Sequence, residues 1–144
     1  MQLKTLGFFF KTWYPSLIMM VIIFVFSSFQ AVDSDKQSGL IVNVLNTLFP
    51  GTKDFSFLVT IIRKNAHFLE YTLLGFFTAR ALNLSHKNPL HSIWISALYA
   101  TSDEVHQSFV PGRSCELRDI LIDTAGAAFG SLIYILTHRK TNKK

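Results

Sequence analysis

Charged residues set inside long apolar runs constrain this sequence most. Runs of membrane-spanning length recur at about residues 13–30, 57–84, 90–109 and 119–136. About 20 apolar residues in a helix cross a hydrocarbon core about 30 Å thick. The stretch 99–119, YATSDEVHQSFVPGRSCELRD, leaves one such run and presents Asp103, Glu104, His106 and Gln107 without a break. Ionisable side chains at that depth are costly unless they are paired or used. The pattern predicts an all-α, polytopic membrane protein with four transmembrane helices in a single domain over residues 1–144, and it argues against a soluble domain.

Apolar residues make up 49% of the chain and charged residues 16%, so the net charge of +5 is carried by few side chains. The basic residues sit at the ends of apolar runs and in the tail, which is where membrane topology puts them, and they give no nucleic-acid signal. The one cysteine, Cys115, excludes an internal disulfide and a Cys-based metal site. Lys4 and Lys11 followed by an apolar stretch resemble a signal peptide. Phe29 and Gln30 are too bulky for a cleavage site, however, so the first span is read as uncleaved.

Trp13 and Tyr14 fit the headgroup level, and Pro15 fits the first turn of span one. The connection 31–54 opens with turn-like Asp33, Ser34, Asp35 and Lys36. Ile41, Val44, Leu45 and Leu48 then recur at helical spacing, which predicts a short amphipathic surface helix over 40–49, ended by Pro50-Gly51. An ordinary packed loop is the alternative. In span two, Arg63, His67, Glu70, Tyr71 and Leu74 share one helical face. In span four, Asp119, Asp123, Gly126 and Gly130 do the same, and Gly126 and Gly130 form a GxxxG pair that permits close helix approach. Residues 137–144 form a basic tail.

Four spans place both termini on one side. Lys4, Lys11, Arg80, Lys87, Arg139, Lys140, Lys143 and Lys144 gather there with no acid, so the positive-inside rule predicts cytoplasmic termini. Counted from that side, Glu70, Asp103, Glu104 and Asp123 all rise roughly 20–22 Å along their helices. Three helices thus bring carboxylates to one level below the outer surface.

The candidate ligand-binding set is Arg63, Lys64, His67, Glu70, Tyr71, Asp103, Glu104, Gln107, Arg113, Asp119 and Asp123. Arg and Lys at an interface suit phosphate oxygens. Carboxylates beside histidine suit proton transfer, which makes His67, Glu70, Asp103 and Glu104 the candidates for acid/base catalysis. Asp103 and Glu104 point about 100° apart on a helix and so serve different partners. His67, Glu70, Glu104 and Asp123 have no recognised metal-ligand spacing, and no metal or other cofactor is expected. The competing reading is a buried ion-pair network that fixes helix register and needs no ligand.

Three blocks of this sequence resemble the VanZ-like family. They are Ser27-Ser28-Phe29-Gln30; Arg63-Lys64-Asn65-Ala66-His67-Phe68-Leu69-Glu70-Tyr71 with Leu74-Gly75; and Ser102-Asp103-Glu104-Val105-His106-Gln107 through Phe109-Val110-Pro111-Gly112-Arg113 to Asp119, Asp123 and Gly126. At position 123 the resemblance implies Asn more often than the Asp found here. The resemblance implies a bacterial cytoplasmic membrane protein linked to resistance to glycopeptides, particularly the lipoglycopeptide teicoplanin. It assigns no reaction. It marks His67, Glu70, Asp103, Glu104, Gln107, Arg113 and Asp119 as important without giving them roles. Three functions follow as expectations. The first is binding of an anionic lipid, a lipid-linked cell-wall precursor or a lipoglycopeptide in an outer-leaflet polar pocket. The second is acid/base or metal-assisted chemistry on such a lipid. The third is a structural role toward another membrane protein or a second copy, through the Gly126/Gly130 face.

Overall fold

The structure, a computed structural model, describes residues 2–48, 56–110 and 115–138. Among them are four helices and no strand: α1 (Gln2–Leu48), α2 (Ser56–Leu84), α3 (His91–Ser108) and α4 (Leu117–His138). The chain is therefore all-α, and α2, α3 and α4 occupy the three later apolar runs.

α1 departs from expectation. It runs for 47 residues without a break, in place of a span, a turn and a separate surface helix. Residues 31–38 contain neither Gly nor Pro, and Asp and Ser lower helix propensity without stopping a helix. Residues 40–48 are thus the last turns of α1, while Phe49, Pro50 and Gly51 lie outside the described residues. Pro15 sits inside α1 and not in its first turn, where it cannot donate to the carbonyl of Lys11. At 1.5 Å per residue α1 is about 70 Å long, more than twice a hydrocarbon core.

Two helical stretches, Phe9–Ser28 and Leu117–His138, are long and apolar enough to cross a membrane, and most of their residues are not buried in the protein. α2 carries Arg63, Lys64, Glu70 and Arg80, and α3 carries Asp103 and Glu104, so neither is uniformly apolar.

The packing is inverted relative to a water-soluble bundle. Large apolar side chains face outward, among them Phe10, Leu17, Val21, Phe24, Trp94, Leu98, Leu121 and Leu132. Ser16, Ser27, Ser92, Ser96, Thr78 and Ser131 are buried beside Ile23, Tyr71, Leu74 and Ala127. Such an apolar exterior is stable only against another apolar phase. With the two span-length helices, it marks a membrane protein.

The largest interface is between α2 and α4, and small residues make it possible. A Cβ on Gly130 would overlap the Thr72 carbonyl oxygen, one on Gly75 the Ala127 carbonyl oxygen, and one on Gly126 the Phe68 carbonyl oxygen. The GxxxG face is therefore used within the chain. A partner helix expected at Gly126 and Gly130 finds that surface already covered by α2. Ser131 Oγ reinforces the contact by donating to the Gly75 carbonyl of α2 (3.3 Å) and sharing a 2.7 Å hydrogen bond with Ser92 of α3. Asn83 donates to the Tyr134 hydroxyl (2.9 Å) at the end where α2 stops and α4 finishes. The Tyr99 hydroxyl donates to the Met20 carbonyl (2.5 Å), joining α3 to α1.

α2 ends in a Schellman motif. Lys87 N–H bonds the Leu82 carbonyl (2.8 Å) and His86 N–H bonds the Asn83 carbonyl (3.0 Å). His86 takes the left-handed position with φ 56°, where a β-carbon is strained and glycine is not. Replacing this exposed residue, His86→Gly, is expected to stabilise the protein by about 0.5–1 kcal/mol. Thermal unfolding in detergent measures this, and a lowered midpoint would assign the His86 ring a contact role.

Candidate functional site

At one end of the bundle the start of α2, the end of α3, the start of α4 and the Ser27-Ser28 level of α1 converge. This follows from the contacts that cross between them. Ser27 Oγ donates to Asp103 Oδ2 (2.7 Å), and Gln107 Nε2 donates to the same oxygen (2.9 Å). Gln107 Nε2 also lies 3.1 Å from Ser27 Oγ. Asp103 and Gln107 stand one turn apart on α3, so the helix itself aligns them. Ser28 Oγ lies 3.1 Å from His106 Nε2, and the His106 ring is tilted against Phe24 with centroids 4.5 Å apart. α1 is thereby fixed to α3 at the polar level.

Glu104, next to Asp103, turns elsewhere, as adjacent helical positions require. Its Oε2 accepts the Glu116 backbone N–H (3.0 Å). That N–H immediately precedes α4 and has no partner within the helix, so Glu104 ties the end of α3 to the beginning of α4. Asp119 lies in the first turn of α4, where a carboxylate complements the helix dipole. It pairs directly with Lys64 of α2, whose Nζ is also 3.8 Å from Glu116.

Asp123, one turn further along α4, is 1% exposed. His67 Nδ1 lies 4.0 Å from Asp123 Oδ1, beyond hydrogen-bond reach. Asp123 is within the electrostatic reach of Asp103, Glu104, Asp119 and Glu70. Tyr71, fully buried, is within that of Asp103, Asp123, Tyr99 and Glu104. One cluster therefore collects acids from α2, α3 and α4.

The expected site residues fall into three groups. Tyr71, Asp103, Glu104, Gln107 and Asp123 are buried in the cluster; Lys64, His67, Glu70 and Asp119 are half-buried at its margin. Arg63 is half-buried at the same end of α2 and makes no ion pair or side-chain hydrogen bond among the described residues. Arg113, with Pro111 and Gly112, lies outside the described residues. The carboxylates of Asp103, Glu104 and Asp123 are thus enclosed, and the half-buried side chains lie on the α2 and α4 side. Sequence reasoning missed Ser27 as a direct partner of Asp103 and Glu116 as the partner of Glu104. The sequence signals for the first were the polar end of the first apolar run and the place of Ser27 in the first block of the family resemblance. Cys115 is exposed and free.

Several of these buried groups have no hydrogen-bond partner: Glu70 Oε2, the Tyr71 hydroxyl, Asp103 Oδ1 and both oxygens of Asp123. A satisfied ion-pair network does not leave carboxylate oxygens in that state.

A family model described as VanZ/LLP1 matches residues 12–138. No curated protein and no solved structure matches the chain. The matched region extends from α1 to the last residue of α4 and takes in the whole acidic cluster with its Ser27, Lys64 and Gln107 partners. This chain belongs to the VanZ-like family.

Proposed function

We propose that this chain is a multi-pass protein of the bacterial cytoplasmic membrane that binds the polar head of an anionic lipid or lipid-linked cell-wall precursor, and so lowers the effect of lipoglycopeptides such as teicoplanin. The observation that carries this reading is the pairing, at one end of the bundle, of basic side chains (Arg63, Lys64 and Arg118) with a buried polar cluster whose Glu70, Asp103 and Asp123 oxygens lack hydrogen-bond partners. Within a bilayer no water compensates such atoms, so they are retained at a cost that a bound group offsets. Arg63, Lys64 and Arg118 stand at the same end of the bundle, where α2 and α4 begin, and their donors suit phosphate oxygens. At the opposite end Lys11, Arg80 and Lys87 support a cytoplasmic placement of both termini, while the basic residues 139–144 lie outside the described residues. The acidic end then faces the outer leaflet, where precursors are used and lipoglycopeptides act. The family's link to glycopeptide resistance supports the same direction.

The test is teicoplanin susceptibility of a sensitive host expressing the wild type, Glu104→Gln or Arg113→Ala, with membrane abundance quantified in the same cells. Glu104→Gln keeps an oxygen for the Glu116 N–H, so the fold is expected to survive while the charge is lost. The expected result is protection by the wild type and its loss in both variants at equal abundance. Variants that protect as well as the wild type would remove the cluster from the function.

A further inference from the structure

Four carboxylate oxygens on three helices are buried without a hydrogen-bond partner: Glu70 Oε2 on α2, Asp103 Oδ1 on α3, and Asp123 Oδ1 and Oδ2 on α4. The Tyr71 hydroxyl, on a side chain 0% exposed, is a fifth such group. It stands within the electrostatic reach of Asp103, Asp123 and Glu104. An ionised carboxylate only accepts hydrogen bonds. A phosphate is also an acceptor, so it finds no donors among these four oxygens and adds charge of the same sign. The nearby ammonium, Lys64, is committed to Asp119 and Glu116. What the site lacks is a compact cation with several N–H donors.

We propose that the cluster binds a primary ammonium group, so that the head group recognised here carries an amine as well as a phosphate; this rests on the head-group reading above. An ammonium has three donors and no acceptor, which suits a cluster whose open atoms are carboxylate oxygens. The Tyr71 hydroxyl adds one further unpartnered donor to the same buried region. A quaternary ammonium brings the charge without N–H donors and leaves those oxygens unsatisfied. No three His, Cys, Asp or Glu side chains among the described residues gather closely enough to chelate a metal ion, so the ammonium is engaged by fewer than three of these acids at once. The half-buried Glu70 and His67 mark the side from which an amine enters, while the phosphate remains near Arg63 and Arg118. The amine is supplied by an aminophospholipid, by the amino-bearing part of a lipid-linked precursor, or by a soluble amine.

The experiment uses the full chain purified in mild detergent and titrated with phosphatidylethanolamine, phosphatidylglycerol or phosphatidylcholine, with retained lipid read by native mass spectrometry. Phosphatidylethanolamine is expected to bind about tenfold more tightly than either of the others. Glu70→Gln and Asp123→Asn are each expected to reduce that preference to near equality. If one variant fails to fold, the other carries the test. Soluble glycerophosphoethanolamine, added as competitor, separates the sources: displacement supports recognition of the amine head alone, and no displacement supports recognition of a membrane-anchored amine. Equal retention of phosphatidylethanolamine and phosphatidylglycerol would overturn the ammonium assignment and leave head-group binding standing. Equal retention of phosphatidylcholine and phosphatidylethanolamine would overturn the need for N–H donors. If no phospholipid is retained and glycerophosphoethanolamine does not bind, both the head-group reading and the ammonium assignment are overturned.

Discussion

Gly130→Ala is expected to destabilise the bundle by about 3 kcal/mol or more. The added methyl group meets the Thr72 carbonyl oxygen of α2 at overlap distance, with the Thr72 carbonyl carbon and the Phe76 nitrogen close behind. These are backbone atoms, so no side-chain rotation relieves the contact and the two helices must separate. Separation also breaks the link from Ser131 to the Gly75 carbonyl and exposes a buried hydroxyl pair. Gly75→Ala is expected to behave in the same way from the opposite helix, since its methyl group meets the Ala127 carbonyl. Gly7, with nothing within 4 Å of an added Cβ, provides the control: Gly7→Ala is expected to leave stability unchanged or slightly improved, as Ala is the better helix former. Thermal unfolding in detergent and abundance in membranes both report the difference. Gly130→Ala and Gly7→Ala melting together would mean that α2 and α4 do not approach this closely.

Asp123→Asn is expected to stabilise the ligand-free protein, by about 2 kcal/mol, while weakening, without abolishing, protection against teicoplanin. Both oxygens of Asp123 are buried without a partner, the nearest His67 nitrogen is 4.0 Å away, and the surrounding groups Asp103, Glu104, Asp119 and Glu70 carry charge of the same sign. Asparagine keeps the shape, removes the charge and supplies N–H donors to the unsatisfied oxygens nearby. A residue kept for fold stability gives the opposite sign: breaking a buried, satisfied ion pair costs about 3–5 kcal/mol. Stability and function moving in opposite directions is therefore the signature that separates a binding site from a structural network. Loss of stability in Asp123→Asn would return the cluster to a purely architectural role.

Much of this arrangement was legible in local spacing. The period of Arg63, His67, Glu70, Tyr71 and Leu74 identified the inward face of α2, where Tyr71 and Leu74 are fully buried. The period of Asp119, Asp123, Gly126 and Gly130 identified the face of α4 that meets it. Counting residues from helix ends placed Glu70, Asp103, Glu104 and Asp123 at one depth, and they do fall within one electrostatic cluster. The illegible parts depend on contacts between distant residues. Ser27 reaches Asp103 across 76 positions and Lys64 reaches Asp119 across 55, and no periodicity encodes either pairing. A GxxxG sequence marks a close approach but cannot say whether the opposing helix belongs to the same chain. The continuity of α1 was missed because Asp33, Ser34 and Asp35 look like a turn by composition, although nothing there breaks a helix.

The uneven distribution of charge among the helices also bears on how the protein is made. The apolar parts of α1 and α4 can each partition into a bilayer unaided. α2 and α3 cannot do so at little cost, because Lys64 and Glu70 on one and Asp103 and Glu104 on the other enter lipid favourably only when matched. Part of that match, Asp119, is synthesised last, on α4. On the multi-pass reading proposed above, the middle hairpin is expected to wait at the insertion machinery until the final helix emerges, so that insertion and tertiary assembly become a single event. A chain truncated before Leu117 would leave Lys64 without Asp119, and it is expected to be recognised as an orphan and degraded before it reaches a stable place in the membrane.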